Sequence, residues 1–499
     1  MTATAAAAAV DLLVVGGGIN GAAIARDAVG RGLTVLLVEK DDLAGHTSSA
    51  STKLIHGGLR YLEQYEFRLV RESLIERERL LRLAPHLIHP LIFVLPHANG
   101  TRPAWMIRLG LFLYDHLDGH PGGRTSLPGS RGVSLDGTRW GSGLKPGIDR
   151  GFTYADCRVD DSRLVVLNAV DAAARGADIR TRTAFLSARP EGAVWRATLR
   201  DARGTREVAA RALVNAAGPW VGQVLGEVAN VAPEHPPRLV KGSHIIVPRL
   251  FEGDHAYILQ NPDRRIVFAI PYEGAFTLVG TTDVPWKGDP AAPAIDAAET
   301  AYLCESMKRY FARRIGPGDV VSSYSGVRPL YDDGSARASE VTRDYVLRLG
   351  TGGRPQLLSV FGGKITTSRR LAEHALEKLA PFLPPMGDPW TGRAPLPGGD
   401  LPGGDFRGFL ADVRRRWPEL PEATALRLAR AYGTRIDRVI GGEDLGGGLG
   451  TREVDHLVDA EWARTADDIL WRRTRLGLHV GPDTVARLTA YLEGKWRHD

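Results

Sequence analysis

The sequence predicts a mixed α/β fold in three parts, and three observations predict it. A short apolar run at 11–15 breaks into glycines and resumes as a small-residue, helix-spaced stretch before a second apolar run at 34–40. From 239 to 283, four runs of strand character follow one another over hairpin-length connections. Beyond a Pro- and Gly-dense stretch at 387–405, the pattern is helical almost to the end.

In the first run, DLLVV, every position after Asp11 is apolar, as a strand buried on both faces of a parallel sheet must be. Gly16, Gly18 and Gly21 form a G-x-G-x-x-G where that strand ends and a helix opens. In that context the pattern means a tight turn, close backbone approach, and unpaired helix N–H groups facing a pyrophosphate. TVLLVEK (34–40) is the second strand of a Rossmann-like βαβ unit, and Glu39 at its end is placed to accept hydrogen bonds from an adenosine ribose. An acid there favours FAD or NAD over NADP.

The middle of the chain alternates a helix (160–177) with the strands VWRATLRD and TREVAARALVNAAG. The second strand closes on Ala217 and Gly218, small residues that let a backbone pass beside a bound cofactor; a buried strand end without a ligand is the alternative. LVKGSHIIVP, AYILQ, RIVFAIPY and FTLVGTTDV predict an antiparallel sheet. The stretch 356–382 returns to strand–glycine–helix, and Gly362, Gly363, Lys364, Ile365 and Thr366 suit a flavin's ribityl and pyrimidine end, or an anion. Two distant helix N-termini serving one cofactor favour extended FAD over NAD. A separate helical domain is expected from about 388.

Composition narrows the class. With 43% hydrophobic and 24% charged residues over 499, the chain reads as folded, and its net charge of +6 fits an anionic substrate or an acidic membrane surface better than nucleic acid, which is not expected as a partner. Cys157 and Cys304 have no metal-ligand spacing, so neither a metal site nor a disulfide framework is expected, and a reducing cytoplasm fits. The start, MTATAAAAAV, lacks a basic region and a long apolar core, so no signal peptide is expected. No stretch approaches the ~20 apolar residues of a membrane span. Any membrane contact is expected to be peripheral.

The segment TSSASTKLIHGGLRYLE (47–63) follows the βαβ unit and is rich in hydroxyls. On residues alone it is a polar loop with a helix beginning near Leu59. Together with GGGINGAAIARDAVGRGL, RPAWMIRLGLFLYDHL, RTSLPGS, VNAAGPWV, KGSHIIVPR, GTTDV, YSGVRPL, SVFGGKITTSRRLAEHALEKL and ADDILWRRT, it closely resembles the FAD-dependent, respiratory-chain sn-glycerol-3-phosphate dehydrogenases of bacteria. The resemblance runs from about residue 10 to the C-terminus.

That resemblance implies a discontinuous FAD-binding domain of the glucose-oxidase or D-amino-acid-oxidase type (10–85, 151–222 and 330–382), with an inserted antiparallel substrate domain (86–150 and 223–329) and a C-terminal helical cap (388–499). It implies oxidation of glycerol 3-phosphate to dihydroxyacetone phosphate, electrons leaving to a membrane quinone. It also implies a homodimer held peripherally on the inner face of the cytoplasmic membrane. Arg60, Arg328, Arg343 and Lys364 match the family's basic active-site positions, with Tyr61 and Thr281 beside the substrate and Thr282 a weaker candidate. Arg328 and Lys364 are expected to serve catalysis as well as binding. His244 is the expected general base, and His56 competes for that role although its place suggests flavin contact. Asn20, Ser48, Ser49 and Thr52 are expected along the pyrophosphate and ribityl chain, with Gly57 and Gly58 letting the backbone pass the ring. RPAWMIRLGLFLYDHL (102–117) reads either as an interfacial segment or as a buried helix. Three rivals remain: an amine or amino-acid oxidase of the same fold, an oxidase using oxygen, and an idle flavoprotein.

Overall fold

The structure, a computed structural model, describes residues 9–98, 102–117, 126–229, 237–331, 344–350 and 355–496. Strand β1 (Val10–Val15), helix α1 (Ile19–Gly30) and strand β2 (Val35–Val38) form the expected βαβ unit. β1 lies parallel between β2 and the strand Gly204–Asn215, with Val14 opposite both Leu37 and Val214. The sheet continues in parallel to Gln356–Phe361 on one side and Asp178–Arg180 on the other. Leu12, Leu13 and Val14 are fully buried, which accounts for the uninterrupted apolar run. Each such side chain contributes about 1.5–3 kcal/mol on burial. Helix α1 packs against both Asp161–Ala174 and Ser368–Leu379, and all three share a core with this sheet.

The second sheet runs, in order, Val284–Pro285, Arg238–Pro248, Phe276–Gly280, Ile266–Tyr272, Ala256–Gln260, Ile88–Pro96, Arg150–Val159 and Leu54–Ile55. Its pairs are antiparallel except at one junction, where Ala256–Gln260 lies parallel to Ile88–Pro96. Those two strands come from distant parts of the chain, so no hairpin constrains their relative direction. Arg150–Val159 pairs along its whole length with Ile88–Pro96. The strand that opens the 151–222 segment therefore belongs to the second sheet and not to the nucleotide-binding one.

The C-terminal helices Phe406–Arg416, Glu422–Tyr432, Thr451–Glu461 and Pro482–Trp496 enclose a core of their own around Leu428, Leu457 and Ile469. The helical pattern is interrupted at Trp462, whose left-handed φ of 59° ends Thr451–Glu461; a π-helical turn, Asp468–Arg473, follows. Residues 387–405, linker-like in composition, are laid down as a strap. The Trp390 indole donates to the Asp27 carbonyl (3.1 Å), Arg26 donates to the Ala394 carbonyl (3.1 Å), and Leu396 N–H donates to the Leu83 carbonyl (2.9 Å).

Candidate active site

A cavity of about 600 Å³ lies between the two sheets. Its nucleotide end is built on the β1–α1 turn. Gly16 has φ +112°, and a Cβ on Gly21 would fall 1.9 Å from the Gly16 carbonyl oxygen, so helix and turn can close only with glycine there. Gly18 caps α1 without a side chain, and the Ile19 N–H is met by Ser48 Oγ (3.0 Å) from the hydroxyl-rich segment. Glu39 accepts from the N–H groups of Gly17 (2.6 Å) and Asp41 (2.9 Å), and burial raises its pKa above the usual carboxylate range. It shapes the glycine turn, and a carboxylate holding two N–H donors keeps lone pairs for a ribose. At this end Asp41 also pairs with His46 (2.7 Å), while the Lys40 ammonium sits 3.6 Å over the Trp220 ring.

The far wall carries Gly58, Arg60, Tyr61, Thr281, Arg328 and Lys364. Gly58, at φ +82°, opens a 3₁₀ turn over Leu59–Gln64, which is the helix expected near Leu59 and brings Arg60 and Tyr61 round to the cavity. Arg328 donates to Thr281 Oγ1 (3.3 Å) and Asp283 Oδ1 (3.4 Å). The Lys364 ammonium lies 3.7 Å over the Tyr61 ring. His56 sits half-buried on the same wall; burial and the Lys364 cation push its pKa down to about 4.

Asn20, Thr52, Ala217, Gly218, Gly362, Gly363, Ile365 and Thr366 also line the cavity. The Asn20 amide ties α1 to the Gly362 carbonyl (3.1 Å), and a Cβ on Gly363 would meet that amide at 2.9 Å. Four residues expected to touch cofactor or substrate are not on the cavity wall. Gly21 lies beneath the turn, packed on Gly16. Ser49 spends its hydroxyl on the His46 carbonyl (3.1 Å). Gly57 is glycine because of what lies behind it: its N–H is held by Tyr114 Oη (2.8 Å), and a Cβ would meet Leu74 at 2.5 Å. His244 is 1% exposed behind Thr52, its Nε2 3.0 Å from Thr52 Oγ1 and its ring stacked on Tyr324. Burial, then Arg328 and Lys53, hold its pKa well below 6.5. Arg343 lies outside the described residues.

A family model described as FAD dependent oxidoreductase matches residues 11–369. The chain belongs to the FAD-dependent oxidoreductases. A second model, described as the C-terminal domain of alpha-glycerophosphate oxidase, matches residues 390–493. The chain is 54% identical over 498 residues to a glycerol-3-phosphate dehydrogenase of Pseudomonas aeruginosa, covering 98% of this chain and 96% of that one. It is 51% identical to the D-erythritol 1-phosphate dehydrogenase of Brucella abortus, covering 97% of each. A solved glycerol-3-phosphate dehydrogenase from Bacillus halodurans, complexed with FAD, is 27% identical with a TM-score of 0.73, covering 99% of this chain and 89% of that one.

As in an FAD-dependent oxidoreductase, the cavity fits a dinucleotide with a planar ring at its far end. A Cβ at Gly16 or Gly363 would crowd backbone or side chain within 3 Å, and the N-termini of α1 and of the turn after Gly363 face the same space. Sequence reasoning left several wall residues without a role. Trp220 sits in GPWV and Asp283 in GTTDV, both quoted motifs, but nothing in the strings says which residue an arginine or a lysine will meet. The apolar end formed by Ile258, Ile266 and Phe268 carried no signal, because these positions read as ordinary strand residues.

Proposed function

We propose that the protein oxidises the C2 hydroxyl of glycerol 3-phosphate, giving dihydroxyacetone phosphate. The observation that carries this reading is the convergence of Arg60, Arg328 and Lys364 on the wall of a cavity whose other end is a dinucleotide cradle. A phosphate dianion calls for several charge-assisted donors, forked ones above all. An amino-acid carboxylate would need one arginine. The C2 hydrogen leaves with its electron pair while the hydroxyl proton goes to His56, which is neutral at pH 7 and lines the cavity. FAD, when bound, supplies the acceptor for that hydride. His244 acts through Thr52 and holds that hydroxyl in place.

A second reading, D-erythritol 1-phosphate as substrate, is supported by the Brucella abortus relative and uses the same phosphate anchors. Electrons then pass to a membrane quinone, with the protein resting on the inner face of the cytoplasmic membrane. Exposed Trp105, Met106, Leu109 and Phe112 on helix Ala104–His116 support that placement. Among the described residues, no helix is long and apolar enough to cross a membrane. The homodimer implied by the family resemblance belongs to the same proposal and is checked by sedimentation.

The test is anaerobic. Each phosphate is added to the yellow protein, bleaching of the flavin is followed, and a quinone or oxygen is then offered. Glycerol 3-phosphate should bleach wild type faster than the erythritol phosphate does, and a quinone should restore colour faster than oxygen. His56→Asn should keep its FAD and lose bleaching, whereas His244→Asn should bleach more slowly. Bleaching of His56→Asn at the wild-type rate removes His56 from the mechanism.

A further inference from the structure

The two segments that line the nucleotide end, 41–45 and 47–53, make mostly short-range bonds of their own. Gly45 N–H reaches the Asp42 carbonyl (3.0 Å), and Ala50 N–H reaches the Thr47 carbonyl (3.2 Å). Thr47 Oγ1 donates to the Val327 carbonyl (2.7 Å) and Tyr324 Oη to the Ser51 carbonyl (2.8 Å), which tether the second segment to the sheet below. Ionic anchors add to these, and a set of them comes from the turn 468–475 in the C-terminal helices. Arg473 grips Asp42 with a fork, 2.8 Å to each carboxylate oxygen, and Arg472 adds a third donor at 2.6 Å. Arg475 donates to Asp160 (3.0 Å), Ser162 Oγ (2.7 Å) and Asp161. Asp161 in turn receives Ser51 Oγ (2.8 Å) and the Lys53 ammonium (2.9 Å).

These groups are buried: the side chain of Arg473 is 0% exposed, Asp42 3%, Asp161 0% and Lys53 4%. The charges close on one another, with Arg475 and Lys53 against Asp160 and Asp161. Removing one member leaves an uncompensated buried charge beside the loop. Just past Asp42, Ala44 N–H bonds the Gly17 carbonyl (3.1 Å), so the grip reaches the glycine turn itself.

We propose that the turn 468–475 is a clamp on the FAD-binding segments 41–53, with Arg473 and Arg475 as positioning residues for FAD. The helical module thereby completes a cofactor site to which it contributes no wall. The proposal rests on the FAD reading but not on the identity of the alcohol, because its readout is cofactor affinity.

Apoprotein is titrated with FAD, following quenching of flavin fluorescence, and hydrogen exchange of 41–53 is recorded. Arg473→Met and Arg475→Met should each weaken FAD binding by roughly tenfold or more, the scale of one lost charge-assisted contact. Exchange should rise in 41–53 but not in 216–220. Arg475→Lys should recover part of the affinity. Arg427→Met removes a buried bond to Glu453 (2.6 Å) inside the same module. It should lower thermal stability and leave FAD affinity in place. Should Arg473→Met not fold, Asp42→Asn reads the same contact from the other side. Unchanged FAD affinity in the clamp variants, or an equal loss in Arg427→Met, overturns the proposal.

Discussion

A guanidinium laid flat against a strand needs a neighbour without a side chain, and Gly242 supplies it: a Cβ there would come within 2.5 Å of Arg328 Nη2. The fork is thus aimed by backbone shape as well as by Thr281 and Asp283. Arg328→Lys keeps the charge and loses the fork. KM for the phosphate substrate should rise by about tenfold or more with FAD still bound, consistent with losing a charge-assisted bond. An unchanged KM would place the phosphate elsewhere. At this scale the sequence was legible where a motif fixes a backbone, as at Gly16, Gly18 and Glu39. It misled where a side chain's direction depends on its neighbours. His244 and Thr52 were both singled out, but nothing in SHIIVP shows that the imidazole meets Thr52, which stands between it and the cavity. Gly57 and Gly58 are adjacent and look alike, yet one is required by Leu74 and Tyr114 behind it and the other opens a turn.

Among the elements, helix Ala104–His116, for which the sequence offered an interfacial segment or a buried helix, has one buried face and one exposed apolar face. Ile107, Leu111 and Tyr114 are buried, while Trp105 is 66% and Phe112 52% exposed. The buried face reaches the site, because Tyr114 Oη holds Gly57 N–H and donates to Asp156 (2.7 Å), itself paired with Arg77. Tyr65 and Phe67, beside the 3₁₀ turn this helix packs on, are exposed as well. Such a face fits an interface whose headgroups take the polar ends and whose acyl boundary takes the rings. Trp105→Ser with Phe112→Ser should abolish co-sedimentation with anionic vesicles while bleaching by substrate continues. Undiminished binding would clear this helix of the role. Periodicity alone could not show which face is buried, since a helix that packs one apolar face and exposes another looks apolar all round.

For the molecule as a whole, acid is the condition to which stability should respond most. Burial holds His56 and His255 down to about 4 and His86 to about 3, and it lowers His89 and His244 well below 6.5. Each folded pKa lies under the unfolded value near 6.5, so the unfolded chain takes up protons first. Stability therefore falls as pH drops below 6.5 and levels off for each group beneath its folded pKa, at about 1.4 kcal/mol per histidine per pH unit. Melting temperature should decline steadily from pH 7 to pH 5, and His86→Leu should flatten that slope; an unaltered slope would show that His86 charges without cost. The three-part architecture was readable at this scale from periodicity and punctuation. The assignment of Arg150–Val159 to the second sheet was not, because pairing partners are chosen by tertiary contacts that one strand's sequence does not encode.

The strap at 387–405 has a consequence for how the protein comes apart. Its prolines and glycines suggest an easy cut, but Trp390 lies against Gly30, where a Cβ would sit 2.1 Å from the indole, and Arg26 and Leu83 fasten the stretch on either side. A protease needs exposed, locally unfolding chain to work on, and fastened backbone does not offer it. Native trypsin digestion should spare Arg393, and a deliberately introduced break there should leave the two fragments migrating as one particle. The stretch behaves as a seam, and opening a seam of this kind means unravelling the cloth on both sides.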